Sequence, residues 1–116
     1  MVVKRTVTQK RELAPAQLRA VADLFAVLSE PTRLRILQML ESGPATVGQI
    51  VERLGIKQAN ASKQLGILHA AGVLARRKEG NLVYYSIRMP LVFDLCALVC
   101  DRLREEAEAR AKSLTR

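Results

Sequence analysis

The sequence predicts an α+β fold that is mostly helical, with four helices, a two-stranded hairpin and a long final helix. Three observations support this prediction. Apolar residues recur at spacings of three and four through most of residues 15–71, which is the period of a helix with one buried face. Two short β-type segments follow over residues 73–87, on either side of a glycine. Pro90 then begins a final helical pattern that continues to about residue 113.

Prolines and a capping pair mark where the first three helices begin. Pro15 begins the first helix, and Pro31 begins a second helix that ends at Ser42-Gly43-Pro44. Thr46 precedes Gln49 by three residues, which is the spacing of a capping box. This pair predicts a short third helix that continues to about residue 54.

Glycines mark the ends of the third and fourth helices. Gly55 ends the third helix, and Gly72 follows a fourth helix that is predicted from about residue 58 to residue 71. The buried stripe of the fourth helix is predicted to contain Ala61, Leu65 and Leu68.

The hairpin and the final helix complete the predicted fold. Residues 73–78 and 82–87 are the two strands, and Glu79-Gly80-Asn81 is the turn between them. The final helix would be roughly 35 Å long, which is too long to lie wholly on so small a core. Its apolar residues therefore need a partner, and a second copy of the chain, giving a homodimer, is the simplest one. These residues are Leu91, Leu95, Leu98, Val99 and Leu103.

Length and composition indicate one globular domain. The 116 residues are 49 % hydrophobic and 26 % charged, which is ordinary for a folded domain and excludes wholesale disorder. We expect a domain over residues 15–113, a basic N-terminal arm at residues 1–14 and a tail at residues 114–116. No apolar run reaches the roughly 18 residues of a membrane span, so no membrane partner is expected. Two cysteines make no disulfide framework, which favours a reducing, cytoplasmic location.

The net charge of +8 favours a polyanionic partner. Its distribution is uneven: residues 1–20 and residues 61–90 each hold five basic side chains and one acidic side chain. Such clustering is typical of nucleic-acid binding. With only two tyrosines and two phenylalanines, stacking on single strands is poorly supported. Double-stranded DNA is therefore the expected partner.

The third and fourth helices, joined by Gly55-Ile56-Lys57, have the size and turn of a helix-turn-helix. In that motif the second helix lies in the major groove, where base edges present distinguishable donors and acceptors. Small residues on the outer face of the fourth helix would permit a close approach to DNA. The alternative is an ordinary amphipathic helix with a solvated polar face. The candidate DNA contacts on this helix are Gln58, Ala59, Asn60, Ser62, Lys63 and Gln64.

Three consecutive basic residues lie on the predicted hairpin. Arg76, Arg77 and Lys78 converge on its turn, where a wing would contact phosphates or the minor groove. The alternative is a solvated edge hairpin that its charges protect from aggregation.

Four stretches in unbroken order resemble the ArsR/SmtB family of winged helix-turn-helix repressors. They are LSEPTRLRIL at residues 28–37, LGIKQ at residues 54–58, SKQLGIL followed by AGVL within residues 62–74, and RRKEG followed by VYYSI within residues 76–87. The resemblance implies a winged helix-turn-helix with a two-stranded wing. It also implies a homodimer joined through its first and last helices, and a repressor of a neighbouring operon that a small inducer releases. Lys57, Ala59 and Gln64 depart from residues common in the family, which leaves the operator sequence open.

The metal sites common in proteins of this family are missing in their usual form. Residues 46–54 of the third helix contain no thiol, whereas arsenic- and cadmium-type sites of the family need a cysteine cluster there. On the last helix, Asp94-Leu95-Cys96 stands where the zinc-type site begins, and Ala107 and Arg110 stand where its second pair would lie. His69, the one histidine, is expected to be structural or merely exposed.

Cys96 and Cys100 remain as candidate inducer ligands. They are four residues apart and so lie on one face of the last helix. If that helix packs against its copy, up to four sulfurs would cluster and could bind As(III) or a soft metal ion. Asp94 and Asp101 flank the pair and could complete a mixed site. The cysteines could instead sense redox state or persulfide, or they could fill an apolar interface without sensing anything.

The sequence therefore predicts a sequence-specific repressor that requires no cofactor. A winged-helix module that binds another protein through its long helix is the alternative class. An enzyme is not expected, because the chain has no nucleophile and histidine constellation, no glycine-rich phosphate loop and no paired-carboxylate signature.

Overall fold

The computed structural model describes residues 12–114. Most of the predicted N-terminal arm, residues 1–11, therefore lies outside the described residues, as do residues 115 and 116 of the predicted tail. Between residues 12 and 114 the chain forms, in order, α1 Pro15–Leu28, α2 Pro31–Leu40, β1 Ala45–Thr46, α3 Val47–Leu54, α4 Gln58–Ala70, β2 Leu74–Glu79, β3 Leu82–Ile87 and α5 Leu91–Leu114.

The starts of α2 and α3 follow directly from the local sequence. Pro31 is the first residue of α2, and the Glu30 carboxylate accepts a hydrogen bond from the Arg33 backbone N–H at 3.0 Å. The predicted capping box of α3 is confirmed: the Thr46 hydroxyl accepts from the Gln49 N–H at 3.2 Å, and the Gln49 side chain accepts from the Thr46 N–H at 2.9 Å. These bonds satisfy backbone donors that have no partner within their helices.

The core lies beneath α4 and joins the helices to the sheet. The predicted stripe of α4 is confirmed, since Ala61, Leu65 and Leu68 are fully buried. They pack in one cluster with residues from α2, α3, the sheet and the start of α5. The other members of this cluster are Ile36, Leu37, Leu40, Ala45, Ile50, Val73, Leu74, Tyr85 and Val92.

The sheet differs from the predicted two-stranded hairpin in two respects. It has a third strand, because Ala45 and Thr46 pair antiparallel with Tyr85 and Tyr84 and give the order β1-β3-β2. A two-residue strand is too short to show an alternating pattern in the sequence. The hairpin turn is also shorter than predicted, since Glu79 still pairs with Leu82.

Two residues, Gly80 and Asn81, therefore make the whole turn. Gly80 has a φ of 61°, in the left-handed region that tight two-residue hairpins require and that glycine adopts without strain.

Helices α1 and α5 are the least covered parts of the fold. Among the described residues, α1 contains no buried side chain and α5 contains only Val92. The 24 residues of α5 extend about 36 Å, which agrees with the predicted length. The helix continues through Leu114, one residue beyond the predicted domain end. Neither α5 nor any other helix within residues 12–114 combines the length and hydropathy needed to cross a membrane.

The burial of α4 predicts a large effect of Leu65→Ala on folding. Removing this fully buried side chain leaves a cavity under the helix and should lower the free energy of unfolding by roughly 2–5 kcal/mol. Urea denaturation at one fixed protein concentration measures the change. Leu82→Ala is the matched control, because Leu82 is half exposed at the hairpin end and should cost less than about 1 kcal/mol. Equal losses in the two variants would contradict this location of the core.

Candidate nucleic-acid interface and cysteine site

The turn between α3 and α4 has the geometry of a helix-turn-helix motif. Gly55 has a φ of 68° and ends α3 in the left-handed conformation, with its N–H donating to the Val51 carbonyl oxygen at 2.9 Å. An Arg35 Nη2 group of α2 donates to the Leu54 carbonyl oxygen at 3.0 Å. The C-terminal end of α3 is therefore hydrogen-bonded to α2. Helix α4 begins three residues after Gly55.

The outer face of α4 is polar, basic and built from small side chains. Gln58, Ala59, Ser62 and Lys63 are exposed, as the sequence predicts for residues that contact DNA. Gly66 and Ala70 continue the same exposed face. A surface of this kind lets a helix approach base edges closely, because no large side chain holds it away. The individual DNA contacts remain predictions.

Gln64 does not lie on this outer face. Its side chain is only 6 % exposed, so its predicted contact with DNA is wrong. It lies three residues after Ala61 and four before Leu68, which is the spacing of the buried stripe. This spacing is visible in the sequence.

Gln64 instead takes part in a part-buried hydrogen-bond network with Arg33 and Asn60. Arg33 Nη1 donates to Gln64 Oε1 at 2.8 Å, and Gln64 Nε2 donates to Asn60 Oδ1 at 3.0 Å. Arg33 also donates to the carbonyl oxygens at the end of α1, from Nε to Val27 at 2.6 Å and from Nη2 to Ala26 at 3.4 Å. One side chain thus connects α1, α2 and α4. Asn60 is half-buried rather than freely exposed.

The three basic residues of the hairpin are exposed but do not share one face. Side chains alternate along β2, so Arg76 and Lys78 project on one side and Arg77 on the other. Arg77 forms an ion pair with Glu79 at 3.0 Å, and its guanidinium lies 5.7 Å from the centre of the Tyr84 ring. All three residues lie beside the hairpin turn, as predicted, but they do not share one face, and Arg77 is already paired with Glu79.

Cys96 and Cys100 are free and exposed on α5. Arg104 lies one turn further on; its Nη2 is 3.9 Å from Cys100 Sγ and 3.0 Å from Asp101 Oδ1. The hydrogen bond to Cys100, and then the contacts with Asp101, raise the pKa of the Arg104 guanidinium above its ordinary value. Asp101 is thus already paired with a cation.

A cavity of about 640 Å³ separates the cysteine face of α5 from α1 and α2. Its lining includes Phe25, Leu28, Ser29, Leu34, Leu95, Cys96, Val99, Cys100, Leu103 and Arg104. Within residues 12–114, no three cysteine, histidine or acidic residues lie close enough together to hold a metal ion. His69 is half-buried near the end of α4, away from this cavity.

Comparison with known proteins agrees with this geometry. The family model described as a helix-turn-helix domain matches residues 28–77. The transcriptional regulator Rv0081 of Mycobacterium tuberculosis is 40 % identical over 78 residues, which cover 66 % of this chain and 68 % of that protein. Its crystal structure superposes with a TM-score of 0.74 over 85 % of this chain and 99 % of that chain.

A second solved structure identifies the family. The homodimeric winged helix-turn-helix domain of Mb0332 from Mycobacterium bovis, described as a possible ArsR-family regulator, is 34 % identical. It superposes with a TM-score of 0.72 over 81 % of this chain and 87 % of that chain. The chain belongs to the ArsR/SmtB family. As a member of this family it has the winged helix-turn-helix fold of a transcriptional repressor, in which α4 is the recognition helix and the β2–β3 hairpin is the wing.

The name of a third relative states a physiological role. This relative is the probable mercury resistance operon repressor of Streptomyces lividans, which is 33 % identical over 102 residues. The match covers 77 % of this chain and 82 % of that protein. These relatives are named as regulators of transcription, which is a non-enzymatic role.

The wing geometry predicts how DNA affinity depends on salt. Each lysine or arginine that neutralises a phosphate contributes roughly 0.9 to the slope of log affinity against log salt. The double variant Arg76→Ala/Lys78→Ala should therefore lower the slope by about 2 for each protomer whose wing contacts a random-sequence duplex, and so by about 4 for a dimer, as measured by fluorescence anisotropy. Arg77→Ala should lower it less, because Glu79 already pairs with that guanidinium. Arg102→Ala on α5 is the control and should leave the slope unchanged. A double variant with the full slope would show that the wing does not contact phosphates.

Proposed function

We propose that the chain is a homodimeric repressor of double-stranded operator DNA and that an inducer bound at Cys96 and Cys100 releases it. The favoured inducer is As(III) or another soft, thiol-binding metal ion. The supporting observation is the location of the cysteines: both sulfurs are exposed on the apolar part of α5, beside a cavity that α1 and α2 also line. An exposed thiol pair on a face that needs a partner is suited to binding a ligand between two chains.

The uncovered surfaces of α1 and α5 support the dimer. Both helices expose several large apolar side chains, and an exposed apolar patch of this kind is typical of an interaction site. The homodimeric state of Mb0332 supports a second copy as the partner. The exposed apolar residues of the two helices are Leu18, Val21, Phe25, Leu91, Leu98, Val99, Leu103 and Leu114.

The chemistry of the ligand set supports an intersubunit site. A trigonal As(III) site needs three sulfurs, and thiolates prefer soft ions over hard ones. One chain supplies two sulfurs, and the described residues offer no third ligand beside them. A third sulfur must therefore come from the other protomer. The mercury resistance role of the Streptomyces lividans relative supports a thiol-binding metal as the class of inducer.

The network of Arg33 supports a route from the cysteine site to the recognition helix. Leu28 and Ser29 line the cavity, and they directly follow the carbonyl groups of Ala26 and Val27 that Arg33 binds. The same guanidinium binds Gln64 on α4. A ligand that moves α5 against the end of α1 would therefore shift the support of α4. The two recognition helices would then no longer fit successive major grooves.

A redox or persulfide signal is the second candidate. The observation that favours it is Arg104, whose guanidinium donates to the Cys100 sulfur at 3.9 Å. A cation beside a thiol is typical of reactive cysteines. A titration of the DNA complex separates the two candidates, because a persulfide donor and a metal ion are added as different titrants.

The interface predicts that Leu98→Glu yields a monomer. Leu98 is 65 % exposed in a single chain, and a carboxylate there would be buried without a partner in the dimer. Sedimentation velocity should show the loss of the dimer at concentrations at which the wild type is dimeric. Leu82→Glu places the same change on the hairpin and should leave the dimer intact. A dimeric Leu98→Glu variant would contradict an interface on this face of α5.

The cysteine site predicts ligand-dependent release of DNA. The reduced protein on a duplex from its own promoter is titrated with As(III), Cd(II), Cu(I), Zn(II) and a persulfide donor, and anisotropy follows binding. As(III) should weaken the affinity 5- to 150-fold, the usual range of coupling between two sites. The variant Cys96→Ser/Cys100→Ser should bind DNA as tightly as the wild type and should not respond.

Two further results decide between the candidates. Val99→Ala alters the same face of α5 without removing a sulfur, so this control should still respond to As(III). Release by the persulfide donor alone would favour the redox candidate. Tight binding that no titrant disturbs would show that the cysteines only pack in the interface.

A further inference from the structure

Arg33, Gln64 and Asn60 are connected by two successive hydrogen bonds, and the donor and acceptor groups of these side chains fix the direction of both. An arginine guanidinium carries only donors, so the atom of Gln64 that faces it at 2.8 Å must be the carbonyl oxygen Oε1. The amide nitrogen of Gln64 must then face Asn60. Since a nitrogen with two hydrogens donates, the atom that accepts from it at 3.0 Å is Asn60 Oδ1. Turning over the Gln64 amide would break the bond from Arg33, and turning over the Asn60 amide would break the bond from Gln64.

This arrangement directs the Oδ1 atom of Asn60 towards Gln64 and leaves the Nδ2 donor group of Asn60 available. Within residues 12–114, the Nδ2 group of Asn60 donates to no other residue of the chain. Gln64 is nearly fully buried, so water competes little for its bonds. Asn60 is half-buried in the first turn of α4, the part of a recognition helix whose side chains contact base edges.

We propose that Asn60 is a specificity-determining residue that selects guanine at one position of the operator, and that Arg33 and Gln64 are positioning residues for it. An unrestrained asparagine pairs with adenine, using Oδ1 as the acceptor for N6 and Nδ2 as the donor to N7. Gln64 donates to one lone pair of Oδ1 and fixes the direction of that oxygen, which disfavours the bidentate pairing with adenine. Guanine presents two acceptors, O6 and N7, to the major groove and so matches the Nδ2 group, which carries two donor hydrogens. This inference rests on the proposed function, because α4 must lie in the major groove.

The first step of the test finds the preferred base pair. The full-length wild-type protein selects binding duplexes from a pool with a randomised central segment. Each guanine of the selected sequence is then replaced by adenine, one at a time, and anisotropy gives the affinity ratio at each position. This exchange keeps the purine N7 and replaces the O6 acceptor with a donor. At one guanine per half-site we expect the exchange to lower the affinity, because the Nδ2 group of Asn60 loses its O6 acceptor.

The second step assigns that loss to Asn60 and its supports. Asn60→Ala should reduce the guanine-to-adenine ratio at that position from about fivefold or more to about one, and should leave the other positions unchanged. Gln64→Glu keeps an acceptor for Arg33 but has no donor for Asn60, so the ratio at the same position should also fall. Because a ratio of two duplexes is measured, the added negative charge cancels. Gln38→Ala removes an exposed amide from α2 and is the matched control, with no change expected.

Each outcome is decisive. A guanine-to-adenine affinity ratio of about one in Asn60→Ala, together with a reduced ratio in Gln64→Glu, would support the proposal. A uniform loss of affinity on all duplexes in Asn60→Ala would show a phosphate contact and overturn it, as would an unchanged ratio. If the wild type enriches no sequence at all, the proposed function fails and this assignment fails with it. Circular dichroism melts of both variants confirm that the measured protein is folded.

Discussion

The half-buried guanidinium of Arg33 connects three helices of this structure, α1, α2 and α4. It binds two carbonyl groups at the end of α1, lies in the first turn of α2 and donates to Gln64 on α4. A part-buried charged group has a low desolvation cost only when its donors are satisfied, and here the acceptors come from two other helices, α1 and α4. The orientation of the recognition helix therefore depends on where α1 ends.

The second constraint is that the core is too small for the helices that surround it. The buried cluster extends from α2 through α4 to the sheet, and of α5 it contains only Val92. Most of α1 and α5 is left with apolar side chains facing outwards. The cysteines lie on this uncovered part, so the surface that requires a second chain is also the surface that carries the candidate ligands. Dimerisation and sensing would then be properties of one interface.

These two constraints together suggest how a ligand site could influence DNA binding without touching DNA. The end of α1 contributes residues to the cavity beside the cysteines and carbonyl groups to Arg33. In the proposed mechanism, a change in the cavity would act on a hydrogen-bonded connection whose other end is Asn60 in the first turn of α4. The connection is polar and directional, so a small displacement changes which bonds form rather than only loosening a packed surface.

The sequence by itself determined every helix and the hairpin, because each depends on neighbouring residues. Pro31, the Thr46–Gln49 capping pair and Gly55 act within one or two turns, and the stripe of Ala61, Leu65 and Leu68 follows from helical spacing alone. It also identified the exposed positions of α4 and the cysteine pair, which are local patterns on single helices.

Only the tertiary structure decided the features that join distant residues. The β1 strand exists because Ala45 and Thr46 meet β3 about forty residues later, and two residues carry no periodic signal. Gln64 is buried because Arg33, 31 residues earlier, supplies the donor that a buried amide needs. Arg77 is separated from Arg76 and Lys78 by the pleat and held by Glu79 and Tyr84. Local propensity specifies where helices begin and end, whereas the partner of a buried polar group depends on which elements the fold brings together.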